Sequence, residues 1–256
     1  MSNERYSPTG FGVLPPVVKN LLIINALFYI ATLVFGYALH IDLSDYLGLH
    51  YFVSPHFATY QFVTYMFMHD ATSFSHILFN MFALWMFGSV LEQVWGPKKF
   101  LIYYMITGIG AALIQLLVIY IQVHNVELSL TVDQIAQVQE TGFQILKEGQ
   151  NFSDPLMGKL NELYNMTTIG ASGAVFGLLL AFGMLFPNSL IYLYFFIPIK
   201  AKWFVIIYGA IELFSGVYYT GSNVAHFAHL GGMIFGFFLI IYWKKKGNRH
   251  GNHYMQ

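Results

Sequence analysis

Four polar side chains stand inside otherwise apolar sequence. Ser172 lies in Gly170-Ala-Ser-Gly173, His229 in Ala225-His-Phe-Ala-His-Leu-Gly-Gly232, and His76 four residues before Asn80 in His76-Ile-Leu-Phe-Asn80. A serine hydroxyl is a weak nucleophile until a base takes its proton, and an imidazole is a natural base. Attack of such a serine on an amide creates an oxyanion, which preorganised donors must meet. His76 and Asn80 offer side-chain donors. Backbone N–H groups in the first turn of a helix opening near Ser172 add others, at the positive end of the helix dipole. Taken singly, each residue has an ordinary reading. A G-x-S-G in an apolar helix usually serves packing, and an asparagine there can simply bond a neighbouring helix. The chemistry requires that all four meet at one depth.

The elements that must bring them together are membrane spans. The 256-residue chain is 57% hydrophobic and 9% charged, where a soluble domain carries roughly 25% charged residues. A transmembrane helix needs about 20 mostly apolar residues. Candidate spans are Leu21–Leu39, Phe74–Val94, Phe100–Val123, Ile169–Phe186, Trp203–Tyr218 and Ala225–Trp243. The fourth and fifth are short and rich in glycine or alanine, as suits inner helices of a bundle. Arg5, Lys19, Lys98, Lys99, Lys200, Lys202, Lys244, Lys245, Lys246 and Arg249 fall in alternate loops and at both ends, while only Lys147 and Lys159 lie in the intervening loops. Positive loops stay cytoplasmic, so the pattern predicts an all-α bundle of six spans with both termini inside. Spans two, four and six then begin at the outer face. Ser172, His229, His76 and Asn80 each lie within about two turns of those outer ends, hence at similar depth. Gly173-x-x-x-Gly177 and Gly232-x-x-x-Gly236 form small-residue stripes that let spans four and six approach closely.

The chain divides into a cytoplasmic segment 1–18, a six-span domain 19–246 and a tail 247–256. The apolar run after the polar first stretch is too long for a signal-peptide core and is read as a retained span. The outer loop 124–168 predicts two helices, one opened by a capping box at Thr131-Val-Asp-Gln134 and running to about Lys147, and a short one from Pro155 to Tyr164. Residues 187–198, with Tyr192, Tyr194, Phe195 and Phe196, read as an interfacial hairpin or re-entrant turn. Tyr60–Phe67 reads as interfacial anchoring.

Net charge is zero, so nothing points to nucleic acid, and the absence of cysteine excludes thiol catalysis, cysteinyl zinc sites and disulfides. No cofactor or metal is expected. A metal site from His69, His76, His226 and His229 is disfavoured because no His-Glu-x-x-His occurs and no carboxylate accompanies these histidines in the spans. His226 reads as a packing or interface histidine, and His69 as a loop or interface residue. Glu212 in span five reads as a buried structural acid with nothing to place it beside His229. A Ser–His dyad is therefore the economical expectation. A small transporter would show discontinuous helices and inverted repeats, and neither is found.

These residues resemble the rhomboid family of intramembrane serine proteases. The likeness lies in Gly170-Ala-Ser-Gly-Ala-Val-Phe-Gly177, His76-Ile-Leu-Phe-Asn80 and Ala228-His-Leu-Gly-Gly232 with Gly236, and it runs from about Lys19 to Lys246. The resemblance implies a six-span core, a short fourth helix bearing the nucleophile, and a water-filled cavity open to the outside. It implies Ser172 as nucleophile and His229 as general base, with His76, Asn80 and the Ser172 backbone N–H as oxyanion donors. Gly170, Gly173, Gly232 and Gly236 would support the site, and Phe176 would pack on the catalytic imidazole. Glu92 with Gly96 matches the acidic turn that ends span two. One departure stands in the first outer loop, where Tyr60-Gln61 replaces a Trp-Arg pair and the guanidinium is lost. A non-catalytic relative would lack the serine or the histidine, and this chain keeps both. The implied substrates are transmembrane segments of other proteins, and the expected location is a bacterial inner membrane.

Overall fold

The computed structural model describes residues 14–193, 196–218 and 225–249. Tyr194 and Phe195 of the expected hairpin, the segment 1–13 and the tail 250–256 lie outside the described residues. In chain order the described helices of eight residues or more are α1 (Pro16–Leu39), α2 (Phe74–Trp95), α3 (Pro97–Glu127), α4 (Val132–Lys147), α5 (Pro155–Asn165), α6 (Ser172–Leu185), α7 (Ala201–Tyr218) and α8 (His226–Arg249). Among them α1, α2, α3, α7 and α8 are long and apolar enough to cross a membrane, and α6 is apolar but only 14 residues long. At 1.5 Å per residue α6 spans about 21 Å, less than a bilayer's ~30 Å hydrocarbon core. Large apolar side chains such as Leu27, Ile30 and Val34 on α1 and Ile206, Ile211 and Phe214 on α7 face outward. The protein is a helical, multi-pass integral membrane bundle, since such surfaces are stable only against lipid or a partner.

The core sits where α3, α6 and α8 meet. Glycines on α6 and α8 make this possible: a Cβ at Gly177 of α6 would meet Thr107 of α3 at 2.6 Å, and one at Gly231 of α8 would meet the Cα of Ala111 of α3 at 3.0 Å. Buried tyrosines then bolt the backbones. Tyr103 donates to the Gly177 carbonyl at 2.9 Å, and Tyr65 donates to the Gly108 carbonyl at 2.6 Å.

Two helix starts differ from expectation, for tertiary reasons. The first span begins at Pro16 rather than Leu21. Glu92 of α2 accepts the backbone N–H groups of Val17 (3.0 Å) and Val18 (2.8 Å), satisfying first-turn donors at the positive end of the helix dipole. The fourth span begins at Ser172 rather than Ile169. Thr167–Thr168 (β2) pairs antiparallel with Leu49–His50 (β1), and Gly170 follows with φ +128°, so the chain cannot turn helical sooner.

The helices of loop 124–168 form within a residue of the expected boundaries, including the reciprocal Thr131–Gln134 capping box. They dock on the body through Tyr164, which donates to Glu127, and through Lys147, which reaches Asp45 at 3.6 Å. Leu190–Leu193 (β3) and Ile197–Lys200 (β4) pair antiparallel, so the described part of 187–198 is a hairpin. Gln61 organises the first loop. Fully buried, its Oε1 accepts from the His50 and Ala58 N–H groups, and its amide donates to the carbonyls of Tyr46 and His56.

Candidate active site

Ser172 opens α6 and His229 lies in the first turn of α8, so each side chain sits at the start of its helix. His229 Nε2 lies 2.8 Å from Ser172 Oγ. The approach depends on bare backbone: a Cβ on Gly232 would overlap the carbonyl oxygen of Gly173. The expected meeting of two glycine stripes holds only at this first pair. Gly177 and Gly236 turn instead toward Thr107 and Tyr103 of α3. Phe176, one turn after Ser172, lies flat over the His229 imidazole, with centroids 4.2 Å apart and planes at 4°. Tyr208 of α7 stacks on the other face of that ring pair, 5.1 Å from Phe176.

His76, near the start of α2, borders the same point. A Cβ on Gly170 would lie 3.1 Å from His76 Nε2 and 3.5 Å from Ser172 Oγ, so the positive φ of Gly170 leaves both polar atoms facing one space. Asn80 lies one turn along the same face of α2, buried, and donates one amide hydrogen to the His76 carbonyl at 2.9 Å. The backbone N–H groups of residues 172–174 open α6 and have no partner within the helix. Gly170 N–H is taken by the Tyr65 carbonyl at 2.9 Å, which fixes the approach to α6 from the first loop. His69 lies in the loop before α2, one of its two expected placements, and is fully buried there with its ring 5.2 Å from that of His76, so it is a core neighbour of the site.

The acid is where the sequence reading did not put it. Glu212 of α7 is buried, and its Oε2 lies 2.9 Å from His229 Nδ1 and 2.7 Å from His226 Nδ1. Against the expectation from sequence, a carboxylate does accompany these histidines, and α7 places Glu212 beside His229. His226 is likewise a polar partner of Glu212, not a packing residue. A signal existed. A carboxylate inside a span demands a partner, and Glu212 lies six residues before the end of α7 while His226 and His229 lie in the first turn of α8. The depth comparison that joined Ser172 to His229 joins this trio too.

Ligand atoms of Glu212, His226 and His229 lie within 4.8 Å of one another, so among the described residues these three could hold a metal ion. A metal on His229 Nδ1 would leave the ring's proton on Nε2, facing Ser172 as a donor, and the imidazole could not then accept the serine proton. With the carboxylate there instead, the proton belongs on Nδ1 and the Nε2 lone pair faces the hydroxyl. The donor set thus suits serine activation in its metal-free form.

Comparison with protein families matches the Rhomboid domain over residues 56–126 and 144–246, which takes in Ser172, His229, His76, Asn80 and Glu212. The chain is also similar to the mitochondrial Rhomboid protein 1 of Saccharomyces cerevisiae, with 26% identity over 163 residues. That stretch covers 64% of this chain and 36% of the yeast protein, so the chain matches well under half of that relative's length. With the domain matched across most of the chain, and with serine, histidine and glycine contacts at its matched positions, the protein belongs to the rhomboid family.

Proposed function

We propose that the protein is an intramembrane serine endopeptidase that cleaves transmembrane segments of other membrane proteins near the outer face. The observation that carries this reading is the 2.8 Å contact between Ser172 Oγ and His229 Nε2 at the joined starts of two apolar helices. Ser172 Oγ attacks the scissile carbonyl carbon as His229 Nε2 takes its proton. The new oxyanion is met by His76, Asn80 and the Ser172 backbone N–H. Collapse breaks the C–N bond, and the imidazolium returns the proton to the leaving amine. Water, deprotonated by the same imidazole, then attacks the acyl ester, releasing the carboxylate and restoring the serine hydroxyl. Phe176 holds the imidazole in plane through both steps. No metal or other cofactor takes part.

The charge pattern supports six spans with both termini cytoplasmic, α6 being the short one, and puts the helix starts that carry the site at the outer face. A helical substrate hides its carbonyls in i→i−4 bonds, so the scissile region is one that unwinds readily, such as a stretch of small residues. Entry is sideways, past α7 or the first loop. The proposed location is a bacterial plasma membrane, and recovery of the tagged protein in another membrane fraction overturns that part.

The test is co-expression with a reporter carrying one transmembrane segment. Wild-type protein should cleave it. Ser172→Ala and His229→Ala should not, while keeping expression and thermal stability. Fluorophosphonate should label Ser172, and chelators should have no effect. Retained cleavage by Ser172→Ala sinks the assignment, and inhibition by chelators would move it to a metal at Glu212, His226 and His229.

A further inference from the structure

We infer that Glu212, held by His226, is the positioning acid of a Ser172–His229–Glu212 relay, so that this site works as a triad with a second histidine behind it. The inference rests on Ser172 and His229 being nucleophile and base. Its physical content lies in which nitrogen of His229 carries the proton. A neutral imidazole has one N–H and one lone pair, and only a lone pair on Nε2 can receive the serine proton. Oε2 of Glu212, 2.9 Å from Nδ1, accepts the N–H there and selects that tautomer. The same negative oxygen stabilises the imidazolium that forms when Ser172 gives up its proton.

The carboxylate needs its own support, because an isolated buried anion would take up a proton instead. His226 provides it. It lies three residues before His229 on α8, hence nearly above it, and brings Nδ1 to within 2.7 Å of the same Oε2. Two imidazole nitrogens on one oxygen hold the carboxylate in place and fix its rotamer. Placement on α7 is equally specific. Beyond Val205, Glu212 is the one buried residue of that helix, on an outer half whose other large side chains face outward. A carboxylate is turned inward there against the surrounding apolar pattern, and the two imidazoles are what it meets.

A purely structural role, tying α7 to α8, makes different predictions. Gln in place of Glu212 keeps the volume and an acceptor oxygen, so it preserves a tie but removes the charge. Under the relay, Glu212→Gln should lower kcat on the transmembrane reporter by roughly 100-fold with KM unchanged, within the range for loss of proton-transfer assistance. Glu212→Asp, charged but withdrawn by one methylene, should fall between Gln and wild type. His226→Gln should cost on the order of 10-fold, since it loosens the acid without removing it. The rate of fluorophosphonate labelling of Ser172 should fall in step with kcat, because that small probe needs the base and does not need α7 to admit a helix. Thermal stability in detergent should stay near wild type for Glu212→Gln. If Glu212→Gln keeps both kcat and labelling rate within about 2-fold of wild type, the relay is overturned. A rise in KM with an unchanged labelling rate also overturns it and assigns Glu212 to the α7–α8 tie. Failure of the underlying reading looks different, since Ser172→Ala would then still cleave.

Discussion

Gly232→Ala tests whether the α6–α8 approach is what creates the proposed nucleophile–base pair of Ser172 and His229. The added methyl would overlap the carbonyl oxygen of Gly173, a backbone atom that cannot rotate away. Restoring an ordinary contact requires the two helix starts to part by roughly 1.5 Å, at an overpacking cost of about 1–3 kcal/mol. Gly173 adjoins Ser172, so that shift would open the 2.8 Å Ser172–His229 contact toward about 4 Å, beyond hydrogen-bond reach. A misplacement of ~1 Å costs on the order of 100-fold in rate, and kcat should fall by that much while the protein remains folded. The assay is cleavage of a fluorogenic transmembrane substrate by detergent-purified protein, with thermal denaturation alongside. Gly108→Ala is the control. Its methyl also falls in occupied space, but against the flexible end of Met66, which can swing aside. It should keep kcat within about 2-fold of wild type. A folded Gly232→Ala enzyme with kcat within ~2-fold of wild type would refute the reasoning, because the site would then tolerate the separation.

Two further predictions concern the first loop. Gln61→Ala leaves the N–H groups of His50 and Ala58 and the carbonyl of His56 without their partner, while the Tyr46 carbonyl keeps its bond from the Tyr60 hydroxyl. At about 1 kcal/mol or more for each buried unmet group, roughly 3 kcal/mol of stability should be lost. Thermal denaturation reads this, and a change of Tm under about 2 °C would refute it. His69 is fully buried, and burial reinforced by neighbouring His76 holds its imidazole down to about 4 from an ordinary 6.5. As pH falls below 6.5 the unfolded chain takes up a proton that the folded protein refuses until about pH 4. The His69 contribution is therefore intact above pH 6.5 and lost by pH 4, a swing of about 3 kcal/mol. Denaturation scans at pH 7, 5.5 and 4 should show a shallower pH slope in His69→Gln than in wild type, and equal slopes would count against it.

Much was legible in the sequence because lipid makes polarity costly. Spans followed from apolar length, and the residues able to do chemistry stood out as the polar exceptions within those spans. Local signals were equally plain. The Thr131 capping box and Pro155 fixed the loop helices within a residue, since caps act through bonds a few residues apart. Where an element's end depended on a distant partner, the sequence reading slipped. The first helix starts at Pro16 because a carboxylate 75 residues away meets its first turn, and α6 starts at Ser172 because β2 is held by β1.

By itself, then, the sequence determined that this is a membrane bundle and led to the expectation that Ser172, His229, His76 and Asn80 share a depth. Depth is one coordinate, set by counting residues from a span's end. The tertiary structure alone decided rotation about each helix axis. Rotation turns Gly177 and Gly236 onto α3 and sets Gly232, alone among the stripe glycines, against the Gly173 carbonyl of α6. It also turns Glu212 away from lipid and onto His229 and His226. A single buried acid at the right depth has no preferred direction until neighbouring helices supply donors. That is why the expected dyad has an acid behind it.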